Sequence, residues 1–225
     1  MTKENYYFLE TNLQLWDYLV WEYLLYKILL YKKNKEKKQE LFHIIENFSE
    51  HLPPPQYKFY RKSFQDFWKT NDFQSMVDTK QDLLSYMTKF RSFLVSQNKN
   101  LMYDFEKQMN DIKKIALKRK ITLKNPTLWG NTTWLLLHLI SLEISNVSSK
   151  EMLIETILHS LPCRICKKHA IQYITNYPLQ TNQDMMDFHN NVNVRLNKRK
   201  SYCPKRLFLR FQKVQNNISH QKVRR

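Results

Sequence analysis

The chain of 225 residues contains one glycine, Gly130. Tight hairpins and phosphate-cradling loops need glycine for positive φ, so sheet-rich folds and glycine-rich nucleotide loops are excluded. A helical protein can do without it, and the expected fold class is all-α. Cysteine is nearly as scarce. Cys163, Cys166 and Cys203 are the whole set, too few for a secreted scaffold stapled by disulfides. Acidic residues stop at Asp187, leaving eleven Lys and Arg between Arg195 and Arg225 with nothing acidic to offset them. The start, Met1 to Glu10, carries acidic residues and lacks the apolar core of a signal peptide, so secretion is not expected.

What is present points to a globular protein with a strong charge bias. Hydrophobic residues make up 42% and charged residues 25% of the chain, enough apolar surface to bury a core. The formal net charge of +17 attracts anions, so nucleic acid or an anionic surface is a candidate partner of the basic C-terminus. A solvated basic tail is the plainer reading of the same residues. Leu13 to Tyr31 is apolar enough to raise a membrane question. It also holds Asp17, Glu22 and Lys27, and such charges favour a core helix over a span.

Apolar spacings of three and four predict helices through most of the chain. Leu13, Trp16, Leu19, Val20, Tyr23, Leu24 and Ile28 mark the first, which runs into the cationic stretch Lys32 to Lys35. Leu41, Ile44, Ile45 and Phe48 continue the pattern until Pro53-Pro54-Pro55 interrupts it. Further helices are expected over Tyr57 to Trp68, Thr79 to Ser96 and Leu101 to Lys118. No cluster of His, Cys or paired carboxylates lies on their stripes, so residues 1–121 read as a helical packing or interaction domain. Asn125 and Pro126 suit a helix start, and five helices are expected beyond them. Ser148 and Glu151 have capping-box spacing for the second of these. Thr181 can cap the fourth, and Pro204 opens a short fifth through Val214. Residues 122–217 form the second expected domain, with 218–225 as a basic tail.

Cys163-Arg164-Ile165-Cys166 follows Leu161-Pro162 at an expected helix start. The helix N-terminus and the side chains of Arg164, Lys167 and Lys168 place positive charge near any thiolate formed there. Two cysteines three apart on a first turn can open and close a disulfide with little backbone movement. Half of a zinc site looks the same, with His169 and either Cys203 or His189 completing the ligands. A zinc-stabilised basic nucleic-acid-binding or scaffold protein is therefore the alternative reading.

Two further motifs flank the pair. Trp129-Gly130-Asn131-Thr132-Thr133-Trp134 leads to His138 upstream, and Phe188-His189-Asn190-Asn191-Val192-Asn193 leads to Leu196 and Lys198 downstream. In order and spacing, the three together resemble the Erv/ALR sulfhydryl oxidases, over roughly residues 125–210. The resemblance implies a four-helix bundle plus a short fifth helix, one bound FAD and no metal. It also implies a thiol oxidase that forms disulfides in proteins and reduces oxygen to hydrogen peroxide. Cys166 is then the cysteine beside the flavin, and Cys163 the one that exchanges with substrate. The implied FAD-binding residues are Gly130, Thr133, Trp134, His138, His189, Asn190, Val192, Asn193, Leu196 and Lys198.

The pattern departs from the family at several places. Asn131 and Asn191 stand where Arg and Glu are implied, and the two amides are expected to face each other directly or through water. Leu142 replaces an aromatic residue. Cys203 lacks its implied partner, so it is either free or bonded to another chain. The extra helical domain makes the chain more similar to viral members of the baculovirus type. That implies an infected cell's cytoplasm or nucleus, or the virion, as location. It further implies protein thiols as substrates, a possible small redox carrier, and a possible homodimer.

Overall fold

The computed structural model describes residues 13–31, 35–51, 58–99, 101, 103–198 and 203–223. Among these residues every regular element is a helix. Before residue 125 come α1 (Leu13–Leu29), α2 (Lys35–His51), α3 (Lys58–Thr70), the single turn α4 (Phe73–Met76), α5 (Lys80–Gln97) and α6 (Phe105–Lys118). Beyond it come α7 (Pro126–Glu143), α8 (Val147–His159), α9 (Arg164–Asn176), α10 (Asn182–Arg195) and α11 (Pro204–Val223). The triple proline and Lys32 to Asn34 lie outside the described residues.

Local chemistry sets most of the boundaries. Asn125 caps α7 by accepting from the Thr127 N–H, with Pro126 at the first helical position. Thr79 with Asp82, and Thr181 with Asp184, form reciprocal capping boxes on α5 and α10. Two expectations need correction, and one element was not expected. The cap of α8 is Asn146, whose side chain accepts from the Ser149 N–H, so the helix starts before the Ser148–Glu151 pair can box it. The last helix is not short. It runs for 20 residues and takes in residues 218–223, because no proline or glycine follows Pro204 to stop it. The turn α4, capped by Asp72, is too brief to leave a periodic signal.

Every residue of α1 from Leu15 to Leu29 except Tyr18 and Lys27 is buried. A helix apolar on all sides belongs inside a core or a membrane. Among the described residues no helix is long and apolar enough to cross a membrane. The charges of α1 have built-in partners. Both Asp17 oxygens accept from Arg91 of α5, at 2.5 and 2.8 Å, and the Tyr60 hydroxyl adds a third bond. Glu22 accepts from the Tyr103 hydroxyl at 2.8 Å, and burial raises its pKa to about 7. Lys27 meets Glu40 of α2 at 3.4 Å.

The helices before and after residue 125 share one contiguous core. The principal contacts across that boundary are α1 on α7 and α2 on α8, so the first and second helices of each half meet. Polar bonds fix this seam. The Trp16 indole N–H donates to Glu143, Tyr23 and Ser160 share a hydroxyl bond at 2.5 Å, and Asn47 donates to Thr156 at 2.8 Å. These bonds pair polar groups that the packing takes from water, which burial favours.

Candidate active site

Cys163 and Cys166 are joined by a disulfide, with Cα atoms 5.1 Å apart. Cys163 is the N-cap of α9, and its sulfur accepts the Cys166 N–H at 3.2 Å. The pair thus sits at the positive end of a helix dipole, where a thiolate is stabilised. Both cysteines are half-buried, while Arg164 and Ile165 between them are exposed. The bond ties up both sulfurs, so neither is a thiolate ligand for the zinc arrangement. Cys203 is free.

The flanking motifs meet on α7 and α10, which pack against each other. Trp134 and His138 are one turn apart on α7 and share a face. His138 Nε2 and His189 Nδ1 are 2.9 Å apart in a buried hydrogen bond. The Trp134 indole stacks on the His189 imidazole, with centroids 3.8 Å apart and planes 6° from parallel. Burial lowers the pKa of His138 to about 3. Burial, then His138 and Lys198, lowers that of His189 to about 2. Both rings are neutral at physiological pH, so one N–H donates to the other ring's lone pair.

Two residues not expected at the site connect it to the disulfide helix. Phe188 lies 5.2 Å from Trp134, and Tyr173 lies 4.9 Å from Phe188, centroid to centroid. Tyr173 is two turns beyond Cys166 on the same face of α9, with buried Ala170 between them. That i, i+4, i+7 spacing was the signal available in the sequence.

The other candidates take varied positions. Thr133 is buried, and its hydroxyl donates to the Trp129 carbonyl at 2.9 Å, toward its own helix. Gly130 is half-buried with negative φ, and a Cβ added there meets only the Pro126 Cβ, at 4.0 Å. Asn190, Val192 and Asn193 are half-buried on the last turns of α10, and Leu196 and Lys198 are exposed just past it. Asn197 has φ of 53°, and the Lys198 N–H turns back to the Asn193 carbonyl at 2.8 Å. This left-handed C-cap fixes where Lys198 departs. The direct pairing of Asn131 with Asn191 is not found: Asn131 accepts from Arg210 of α11 at 3.4 Å. The last helix delivers this cation from within its expected span, so the partner of Asn131 is a side chain on α11 rather than the amide of α10.

Residues 131–215 match the sequence model of the Erv1 / Alr family. A protein of African swine fever virus (isolate Pig/Kenya/KEN-50/1950) is 41% identical over 83 residues, covering 32% of this chain and 70% of that protein. The chain belongs to the Erv1/Alr family. The African swine fever virus protein is named FAD-linked sulfhydryl oxidase. A second, from isolate Tick/Malawi/Lil 20-1/1983, carries the same name and is 37% identical with the same coverage. A putative FAD-linked sulfhydryl oxidase of Invertebrate iridescent virus 3 is 33% identical over 88 residues, 33% of this chain and 60% of that protein. No solved structure matches.

The residues of this Erv1/Alr protein fit a flavin. Glycine in a helix interior costs about 1 kcal/mol relative to alanine. None of the described residues occupies the space a Gly130 Cβ would take, and no positive φ demands glycine. A ligand that approaches the backbone closely accounts for it. Trp134, one turn beyond Gly130 on α7, stacks on His189 of α10 and presents a flat ring near that position.

Proposed function

We infer that the protein is a FAD-linked sulfhydryl oxidase that makes disulfide bonds in protein substrates. The observation that carries this reading is the Cys163–Cys166 disulfide at the first turn of α9, inside the family-matched segment. A substrate thiolate attacks the Cys163 sulfur, the Cys163–Cys166 bond breaks, and Cys166 leaves as a thiolate. A second substrate thiolate attacks the mixed disulfide and releases Cys163, whose sulfur receives the Cys166 N–H. The substrate dithiol has lost two electrons and two protons, and the enzyme pair has gained the electrons. Bound FAD supplies the acceptor for that electron pair and its transfer to molecular oxygen, giving hydrogen peroxide.

Trp134, His138 and His189 form the aromatic part of the flavin site, with Gly130, Asn190, Val192 and Asn193 beside them. Leu196 and Lys198 close its end. Neutral imidazoles serve here because two adjacent buried cations repel. Residues 1–162 contain no cysteine and only Cys203 lies outside the pair, so these 225 residues hold no second cysteine pair to act as a shuttle. Substrate thiols, or a small redox carrier, reach Cys163 directly. Relatives in two large viruses support action on viral proteins inside an infected cell, in cytoplasm, nucleus or virion. Arg206, Arg210 and Lys213 are exposed and one or two turns apart on α11, a face suited to an anionic partner. A homodimer is compatible with this reading.

The test is purification of the full chain. A yellow protein that consumes oxygen when given dithiothreitol is expected. A colourless protein that oxidises no thiol overturns it.

A further inference from the structure

The exchange of disulfides happens at Cys163, and the structure builds a cavity one residue away from it. This cavity, of about 160 Å³, is lined by Ser160 and Pro162 on one side and by Leu30, Leu41 and Ile44 of the first two helices' region on the other. Lys27, Glu40 and Lys124 are also at its wall. Consecutive Cα atoms are about 3.8 Å apart, so the wall at Pro162 adjoins Cys163 directly. The cavity lies where the N-terminal helices pack near the Ser160–Pro162 turn. The Tyr23–Ser160 bond at 2.5 Å holds that turn in place.

The lining has a definite chemistry. Its floor is aliphatic, from Leu41 and Ile44, both buried. Two ammonium groups and one carboxylate accompany that floor. Lys27 and Glu40 face each other at 3.4 Å and largely offset one another, which leaves Lys124 as the excess charge. Lys124 is exposed, and its backbone is anchored by the Trp129 indole, which donates to its carbonyl at 2.9 Å. Ile165, which lies between the two cysteines in sequence, is 69% exposed and offers an apolar surface on the first turn of α9.

We propose that this cavity is a specificity subsite for the protein substrate, seating an acidic side chain that flanks the reactive cysteine. The aliphatic stem of a Glu lies on Leu41 and Ile44, its carboxylate meets Lys124, and the neighbouring apolar residue covers Ile165. The N-terminal helices therefore contribute a wall of the substrate site. This rests on the thiol-oxidase reading, since it names the partner of the same disulfide.

The experiment compares the FAD-loaded full chain on three synthetic Cys-X-X-Cys peptides, flanked by Glu, Ala or Lys, with dithiothreitol as a substrate too small to need the cavity. At low salt, kcat/KM for the Glu peptide should exceed that for the Lys peptide about fivefold, the scale of one exposed ion pair. Lys124→Glu should reverse the order of the Glu and Lys peptides. Leu30→Trp, which fills the cavity, should abolish the difference between them. Dithiothreitol oxidation should be unchanged in both variants. Equal kcat/KM for all three peptides in the wild-type protein, with dithiothreitol still oxidised, overturns the subsite alone. Failure to oxidise dithiothreitol overturns the thiol-oxidase reading and the subsite with it.

Discussion

The Trp134 indole lies flat on the His189 imidazole, 3.8 Å between centroids, and joins α7 to α10 where the flavin is assigned. Removing the indole takes away both the stack and its contact with Phe188. Trp134→Ala should therefore purify with much less FAD than wild type and melt at a lower temperature, since bound ligand stabilises the folded state by mass action. Flavin content per chain, measured by absorbance after denaturation, checks this. Full occupancy in Trp134→Ala removes it from the site.

Gly130→Ala should separate folding from cofactor binding. The added Cβ meets only Pro126 at 4.0 Å, so the flavin-free protein should gain about 1 kcal/mol from helix propensity. FAD should bind more weakly, because the methyl group enters the space assigned to the ligand. Denaturant unfolding of the flavin-free protein and a flavin titration read the two effects. Unchanged FAD affinity contradicts the assignment.

Two sets of buried groups give opposite pH dependences. His138 and His189 have folded pKa values of about 3 and about 2, below the ordinary 6.5. Their contribution is complete above pH 6.5 and is lost as pH falls, because the unfolded chain binds protons that the folded one does not. Glu22 is raised from 4.5 to about 7. Its contribution is complete below 4.5 and is lost as pH rises to about 7. In flavin-free protein, His138→Leu/His189→Phe should flatten the fall in Tm between neutral pH and about pH 5. Glu22→Gln should raise Tm at about pH 8 and change it little near pH 4. Profiles that superimpose on the wild type contradict these shifts.

Asn146 caps α8, so Asn146→Ala should lower stability by about 1 kcal/mol, whereas Ser148→Ala should cost little. Urea unfolding of the two variants decides between the observed cap and the one expected from sequence spacing. An equal loss in both points to some other role for Ser148.

Much of this was legible in the sequence. Gly130 as the sole glycine spoke against a sheet, the Asn125–Pro126 and Thr181–Asp184 starts are where local chemistry places them, and the two flanking motifs come together on α7 and α10. What was hidden depends on contacts distant in sequence. Asp17 and Glu22 look like charges on a free face until Arg91, Tyr60 and Tyr103 arrive from other helices. Arg210 reaches Asn131 from 79 positions away, and no local pattern announces that. Tyr173 and Phe188 resemble ordinary core residues because an aromatic beside a site has the same helical spacing as one in the core. The seam of α1 on α7 and α2 on α8 was equally invisible, since amphipathic stripes do not name their partners.

In the proposed reaction the Cys163–Cys166 pair passes electrons to bound flavin. Anaerobic mixing of the FAD-loaded protein with dithiothreitol, followed by flavin absorbance, tests it most directly. The account predicts bleaching in the wild type and in Cys203→Ser, and persistent oxidised flavin in Cys166→Ser. Rapid bleaching in Cys166→Ser, at the wild-type rate, contradicts it.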